Sequence, residues 1–590
     1  MRQCRVSGRR CDAVIDSCLP ARRDSGGWDS AGSHLVAGGN GDLHNSCRRN
    51  RGPIIITSSP RRGFVLLVVT IVIILLSLAA YTYMGTMQVE HSAAMMYGRD
   101  VEARMAAESG IEYAAGQIAQ LTTDNTIDVF HDPSAFRGQA LGSVDSPRGQ
   151  SRFTILVPSE VVTANGSTVR FGMARETAKF NINRLTEFEN DDDEATDPYM
   201  AISFVPDMTE DIANAILDWI DSDEERRIGG AESADYQALA VPYSARNAPF
   251  ESIDELLQIQ GVTPALFYGE DANRNGMLDN NEDDGNKSPP NDNGDGVLDA
   301  GWREFFTVSS RERNTTIEGD EKININQALM TELFDAVEEA FDTETATFVV
   351  AYRMWGNKKA DPATVTSLTV EQKDVAEAIG KVMTGQSDGT VTRNGMDLTK
   401  VAQFSFRSIY DLIDAEVVAT ISGGSQTLTS PWKSDPASLL ENMPILEETL
   451  TFLDDAFIDG RINVNQARRE ALLAIPDMTE AIADSIIELR PPIVEGGMSS
   501  AMMATRISPT WLLGESVVDL DTFKRLGPWL TTGGDVFSFQ VLGHFDQGGP
   551  TTRLEAMIDG TKSPPRVVFM RDLTSLGRGF HPGLLEGSQR

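Results

Sequence analysis

Phe64–Val89, FVLLVVTIVIILLSLAAYTYMGTMQV, runs for 26 residues without a charge. As a helix rising 1.5 Å per residue it spans about 39 Å, enough to cross a hydrocarbon layer of about 30 Å. Arg61 and Arg62 stand directly before it, with Arg48, Arg49 and Arg51 further back. The positive-inside rule therefore places the N-terminus in the cytoplasm and the bulk of the chain across the membrane. The apolar core is longer than the roughly 7–15 residues of a cleavable secretory signal. Beyond it, Glu90–Leu121 keeps a helical pattern: Met95, Met96, Val101, Met105, Ile111 and Ala114 recur at helical spacing, with Asp100, Glu102, Arg104 and Glu108 between them. One helix of about 55 residues is predicted over 64–120, half in lipid and half amphipathic.

The whole chain has 590 residues, a prior of about four folded units. Apolar residues make up 41% and charged residues 23%, which is enough to bury cores. The net charge of −36 is unevenly spread. Residues 1–63 hold 11 Arg and 5 Asp, whereas the remainder holds 40 basic against 82 acidic residues. So acidic a body repels phosphate backbones and suits cations, which argues against nucleic acid as a partner. Cys4, Cys11, Cys18 and Cys47 all lie in the basic leader, without the close pairing of a zinc knuckle, and the body contains no thiol chemistry. The leader, 1–63, reads as disordered or removed. None of the six histidines stands three or four residues from another. Phosphate-loop, nucleophile-elbow and dinucleotide patterns are absent, so no enzymatic activity is expected.

The body repeats itself. Val205-PDMTEDIANAILDW and Ile475-PDMTEAIADSIIEL share P-D-M-T-E-x-I-A-x-x-I, and each follows an Asn-rich element, Asn181-Ile182-Asn183 or Ile462-Asn463-Val464-Asn465. A third such element is Ile323-Asn324-Ile325-Asn326. In the second copy the asparagines are expected to open a helix as caps, and Leu472, Leu473 and Ile475 to pack inward. Thr479 should cap the next helix, whose buried side is read as Ala481, Ala483, Ile486 and Ile487. The result resembles a helix-hairpin-helix unit. Its turns lack glycine and carry a carboxylate, so packing or protein contact is expected rather than DNA binding. Ser252–Val262 has the same hairpin form with a glycine, and it too is acidic. Strand alternation marks Ser151–Val162, Ser167–Ile182, Asp535–Phe545, Arg553–Gly560 and Pro565–Leu573, with helical signals dominating 190–530. The fold class is therefore α+β: a long N-terminal helix, then a small antiparallel β-domain interrupted by a large helical insert.

Asp271-Ala-Asn273-Arg-Asn275-Gly276-Met277-Leu278-Asp279-Asn-Asn-Glu282 matches the EF-hand loop at every diagnostic position. Asp271, Asn273, Asn275, Asp279 and Glu282 offer side-chain oxygens, Met277 its carbonyl, and Gly276 the sharp turn. A second stretch carries Asn291, Asn293, Asp295, Val297 and Asp299 at the corresponding positions, but its twelfth residue is Trp302, for which Glu304 is the candidate substitute. Both loops are predicted calcium sites that stiffen structure. Of two further carboxylate groups, Asp191–Glu194 reads as acidic surface, while Asp221/Asp223/Glu224/Glu225 fits surface or an ion site.

The join Arg61-Arg62-Gly63-Phe64 resembles a prepilin peptidase site, cut between Gly63 and Phe64, and the helix after it resembles a type IV pilin-like stalk. The runs Ile216-LDWIDSDEE, Gly229-Gly230-Ala231-Glu232, Tyr236, and Tyr243-SARNAPFESIDELLQIQGV, with Lys179-Phe-Asn-Ile-Asn183, resemble the type II secretion system minor pseudopilin K family. Val68 stands where most pilin-like proteins have Glu, which is a trait of that family and fits a tip position. The resemblance covers most of 61–575, although 345–440 matches no family motif. It implies a non-catalytic subunit at the tip of the secretion pseudopilus, partnered by I- and J-like minor pseudopilins and the inner-membrane platform. It also implies a single-pass inner-membrane anchor with the bulk in the periplasm, and calcium in the insert. On this basis the chain divides into leader 1–63, transmembrane and stalk helix 64–120, first β part 121–189, helical insert 190–530, and second β part with tail 531–590. The alternatives are a DNA-uptake protein with helix-hairpin-helix modules and a type IV pilus minor pilin.

Overall fold

The computed structural model describes residues 62–121, 129–142, 149–158, 169–188, 198–358, 366–367, 391–491 and 504–585. The leader cysteines and the Asp191–Glu194 cluster lie outside the described residues. The chain divides into two units, with the boundary between Tyr83 and Met84. The described part of the first is the start of α1 (Arg62–Leu121), whose apolar side chains from Phe64 to Leu78 all face outward.

The second unit is built on a seven-stranded antiparallel sheet. Its strands are β1 (Gln139–Ala140), β2 (Ser151–Pro158), β3 (Val169–Arg170), β4 (Ala174–Arg175), β5 (Val536–Phe545), β6 (Thr552–Asp559) and β7 (Arg566–Asp572). The main path runs β1-β2-β5-β6-β7, with β3 pairing β2 and β4 pairing β5. The C-terminal half of α1 packs on this sheet through Ala103, Ala106, Ala107, Ile111, Ala114 and Ile118. The approach is close: a Cβ on Gly543 of β5 would stand 1.9 Å from the Ala103 carbonyl oxygen, and one on Gly110 would stand 2.6 Å from Val541. This corrects part of the amphipathic reading. Ile111 and Ala114 are buried as expected, whereas Met96, Val101 and Met105 are exposed, because the closest approach is made at the small residues Ala103 and Ala107.

Between β4 and β5 the chain makes three successive closed units. In each, an Asn-rich strand at the start pairs in parallel with a strand at the end. Phe180–Asn181 pairs with Phe306–Thr307, Ile323–Asn324 with Leu450–Thr451, and Ile462–Asn463 with Leu530–Thr531. The first asparagine of each element folds a tight turn: Asn181, Asn324 and Asn463 each accept, on Oδ1, the N–H two residues on, at 3.1, 2.8 and 2.9 Å. The second reaches across its unit. Asn183 exchanges two hydrogen bonds with the Phe250 backbone (3.1 and 2.7 Å), and Asn326 does the same with Phe406 (2.8 and 2.8 Å). Asn465 donates to the Arg506 carbonyl and accepts from Trp511 Nε1. Asn181 caps the 3-10 turn Ile182–Arg184, but Asn463 and Asn465 do not cap the helix that follows them, which starts only at Arg469. The second asparagines hold segments 41 to 80 residues away in sequence.

The two Pro-Asp-Met-Thr turns have the same form. Each connects two short helices, Pro198–Ile202 to Glu210–Ile220 and Arg469–Leu473 to Glu480–Glu488. Asp207 and Asp477 both take positive φ, and Thr209 and Thr479 both cap the following helix by accepting an N–H at 3.3 Å. Leu472, Leu473, Ile475, Ala483 and Ile486 are buried as expected, whereas Ala481 is exposed on the solvent side of its helix. A further recurrence, Phe250-x-Ser252-Ile253-x-Glu255-Leu256 and Phe406-x-Ser408-Ile409-x-Asp411-Leu412, forms a capped 3-10 turn in the first and second units.

Polar groups meet where the second and third units join. Tyr410 and Ser508 hydroxyls both donate to Glu447, the former at 3.0 Å, while Arg461 pairs with Glu312 at 2.7 Å. Burial pushes the Glu447 carboxyl up to about 7, against the pull of Ser508, Tyr410, Arg461 and Lys322. A carboxyl raised on folding binds its proton more tightly in the folded chain. Its contribution is whole below the unfolded value near 4.5 and is lost as pH rises through about 7. Stability should therefore fall by roughly 3 kcal/mol between about pH 5 and 8 from this group. Glu447→Gln should flatten that part of the profile in denaturant titrations at several pH values. Asn326→Ala removes both bonds to Phe406 and should cost about 2 kcal/mol. Faster hydrogen exchange confined to the second unit would register the loss.

Candidate metal centres

The first EF-type loop follows the helix Pro264–Tyr268, which ends at Gly269 with φ 66°. Asp271 accepts the N–H of Asn275 on Oδ1 (3.0 Å) and that of Gly276 on Oδ2 (2.7 Å). Asn273 and Asn275 both donate to Asp279 Oδ2, at 2.6 and 3.0 Å. Glu282 returns to the start, accepting from Ala272 (3.1 Å) and Asp279 (3.0 Å), and is 1% exposed. Hydrogen bonds thus link the five side chains within one loop. Burial raises the carboxyls of Asp271 and Glu282, and for Glu282 the charges of Asp271 and Asp279 add to the rise. Asn273 Oδ1 is buried without a hydrogen-bond partner. An all-oxygen donor set with an orphaned oxygen fits a hard divalent cation, with Met277 supplying its carbonyl.

The second loop is more open. Asn291, Asn293, Asp295, Val297 and Asp299 are exposed. Asn293 donates to Asp299 Oδ2 at 3.0 Å, and Asn293 and Asp295 accept the N–H groups of Asp295 and Val297. Glu304 does not close it, because its carboxylate faces Arg468 at 3.8 Å. Glu270 stands there instead. Its two oxygens accept the N–H groups of Asn293 (3.0 Å) and Asp299 (3.4 Å), much as Glu282 does in the first loop. Glu270 directly precedes Asp271, and a bridge between Gly269 and Ala300 ties the two loops together. Local spacing could not reveal a closing carboxylate that lies upstream of its loop.

A third group brings together what sequence reading left apart. Asp218 on the helix Glu210–Ile220, Asp221 at its C-cap and Glu232 at the start of Ser233–Gln237 place carboxylate oxygens within 4.8 Å of one another. Asp223 and Glu225 are exposed and take no part, and Glu224 sits at the rim, accepting from Ser233 and Asn247. The Gly229-Gly230 pair makes room: a Cβ on Gly230 would lie 2.1 Å from Asp218 Oδ2. Arg227 Nη1 donates to Asp218 at 2.7 Å and to Asp221. Glu232 is 3% exposed, and among the described residues its carboxylate meets at most a backbone N–H at the start of its own helix, while Asp221 Oδ1 meets no donor. Burial, then Asp218, Asp221 and Glu224, push the Glu232 carboxyl up to about 7. The stacked rings of Tyr236 and Tyr243 and the edge of Trp219 pack beside the cluster. Three carboxylates facing one guanidinium, with orphaned oxygens and no sulfur or imidazole, suit a hard cation rather than zinc. The sequence signal was the glycine pair ahead of Glu232, but nothing in it showed that Asp218 and Glu232 are buried.

Residues 178–268, which contain this third cluster, match the family model described as Type II secretion system (T2SS), protein K. Type II secretion system protein K of Pectobacterium carotovorum subsp. carotovorum is 33% identical over 98 residues, 15% of this chain and 30% of the relative. That of Klebsiella pneumoniae is 28% identical over 114 residues, 18% of this chain and 35% of the relative. The chain spans about a third of the length of the curated relatives it matches. The crystal structure of the GspK-GspI-GspJ complex from enterotoxigenic Escherichia coli aligns over 82% of this chain and 99% of that chain, at 12% identity and a TM-score of 0.33. Over residues 178–268, the chain is similar to the type II secretion system protein K family.

Proposed function

We propose that this protein is a non-catalytic minor pseudopilin at the tip of a type II secretion pseudopilus, acting in protein secretion by complexing with I- and J-like minor pseudopilins. The observation that carries the reading is α1: an apolar segment long enough for a bilayer runs without a break into a small-residue seam packed on an antiparallel sheet. The family match supports the choice of partners. Prepilin peptidase cuts between Gly63 and Phe64, which leaves a single-pass inner-membrane anchor with the body in the periplasm. The inner-membrane secretion platform receives that anchor.

Calcium is the cofactor, held by Asp218, Asp221 and Glu232 with Arg227 displaced, by the first loop, and by the second loop closed by Glu270. Its role is to neutralise facing carboxylates and stiffen the helical units. At free calcium 100-fold above the dissociation constant, each site should add about 2.7 kcal/mol, so chelation should lower the melting temperature. Glu232→Gln should remove one calcium equivalent in calorimetric titration and leave the loops loaded.

The full chain, purified in detergent, should retain the I- and J-like pseudopilins of its own system on an affinity resin. No retention with or without calcium would refute the tip role. Intact-mass analysis of the membrane-extracted protein should give Phe64 as the first residue, and Gly63→Val should leave the leader attached.

A further inference from the structure

The first calcium loop is docked on the pseudopilin sheet by Gln540 and Arg553, donors that are not themselves ligands. Gln540 on β5 donates from Nε2 to the Arg274 carbonyl at 2.7 Å. Arg553 on β6, which is fully buried, donates from Nη2 to the Asn273 carbonyl. Asn275, a ligand position, donates to the Gly579 carbonyl at 2.7 Å. Met277 packs against the sheet core, and a Cβ on Gly276 would stand 2.1 Å from Pro158 at the end of β2. Ligand positions three and five of the loop are thus held from behind by residues more than 260 positions away in the chain.

The arrangement has a cost that a cation removes. Arg553 Nε and Nη1 are buried without acceptors, so the Asn273 carbonyl is the one hydrogen-bond acceptor its guanidinium has among the described residues. Without a cation, the like charges of Asp271, Asp279 and Glu282 in one twelve-residue loop repel and push it apart. A loop that opens takes its carbonyls away from Gln540 and Arg553 and strands a buried charge.

We infer that Gln540 and Arg553 are positioning residues for the first calcium loop, and that calcium there locks the inserted units onto the pseudopilin sheet. The inference rests on the calcium reading proposed above. Binding and docking are then two faces of one equilibrium: whatever strengthens one strengthens the other by the same factor.

The test is hydrogen exchange on the full chain in detergent, titrated with calcium chloride against a chelator, with magnesium as control. Calcium should slow exchange in 271–282 and, at the same midpoint, in β5 and β6, by about 5-fold or more. Glu282→Gln should abolish both effects. Gln540→Leu keeps the side-chain bulk and removes the donor. It should raise the calcium midpoint of 271–282 about 5-fold or more while leaving the midpoint of the peptide containing Asp218 unchanged. Protection of the loop without protection of β5 and β6 would overturn the coupling and leave the calcium reading standing. No calcium effect at 271–282 would end both. Should Gln540→Leu not fold, the wild-type comparison of the loop with the two strands decides alone.

Discussion

Everything in the second unit follows from one pairing. β2 lies antiparallel to β5, Ile155 opposite Val541, so the sheet is complete only when strands from the two ends of the body meet. A pairing that distant in sequence carries a large loop-closure cost if the chain between is unstructured. The three closed units reduce that cost. Each brings its own ends together through a two-residue parallel pair and an asparagine clasp, and the entrance and exit of the insert are drawn close before β5 forms. The antiparallel contact of Arg311–Arg313 with Phe457–Asp459 joins the first connection to the second and continues the same economy.

The stalk obeys a different constraint. Its packing half must come close enough to β5 that no side chain larger than alanine fits at Ala103 and Ala107, with glycine required opposite at Gly543. Hydropathy located the helix because an uncharged run of that length has few other uses. It found Ile111 and Ala114 but misjudged the rest of the buried face, because it weighs size and apolarity together, while the contact at Ala103 and Ala107 selects for smallness. Met96 and Met105, the more apolar choices, are exposed.

The asparagines show a second limit of reading along the chain. Their residue type and their place before a helix fit capping equally well, and only the position of Phe250, Phe406 and Arg506 in space reveals the clasp. The two Pro-Asp-Met-Thr turns were legible because they are nearly identical in sequence. The Phe-x-Ser-Ile recurrence, spread over separated positions with chemically similar but different neighbours, was not. At the candidate metal centres, spacing pointed to the side chains of the first loop and missed those that arrive from elsewhere: Glu270 from upstream and Glu232 from across a glycine turn. Arg227 adds a feature that spacing could not suggest. A guanidinium occupies part of the carboxylate cluster and serves it as an internal counter-charge.

The parallel closure of each unit means that its first and last residues stand one strand spacing apart, about 4.8 Å. To the flanking chain, a whole unit therefore looks like a single step in the backbone. A gene that gained, lost or exchanged such a cassette would leave the register of β2 on β5 untouched. The insert is free to grow or shrink by complete blocks while the sheet that carries it remains the same.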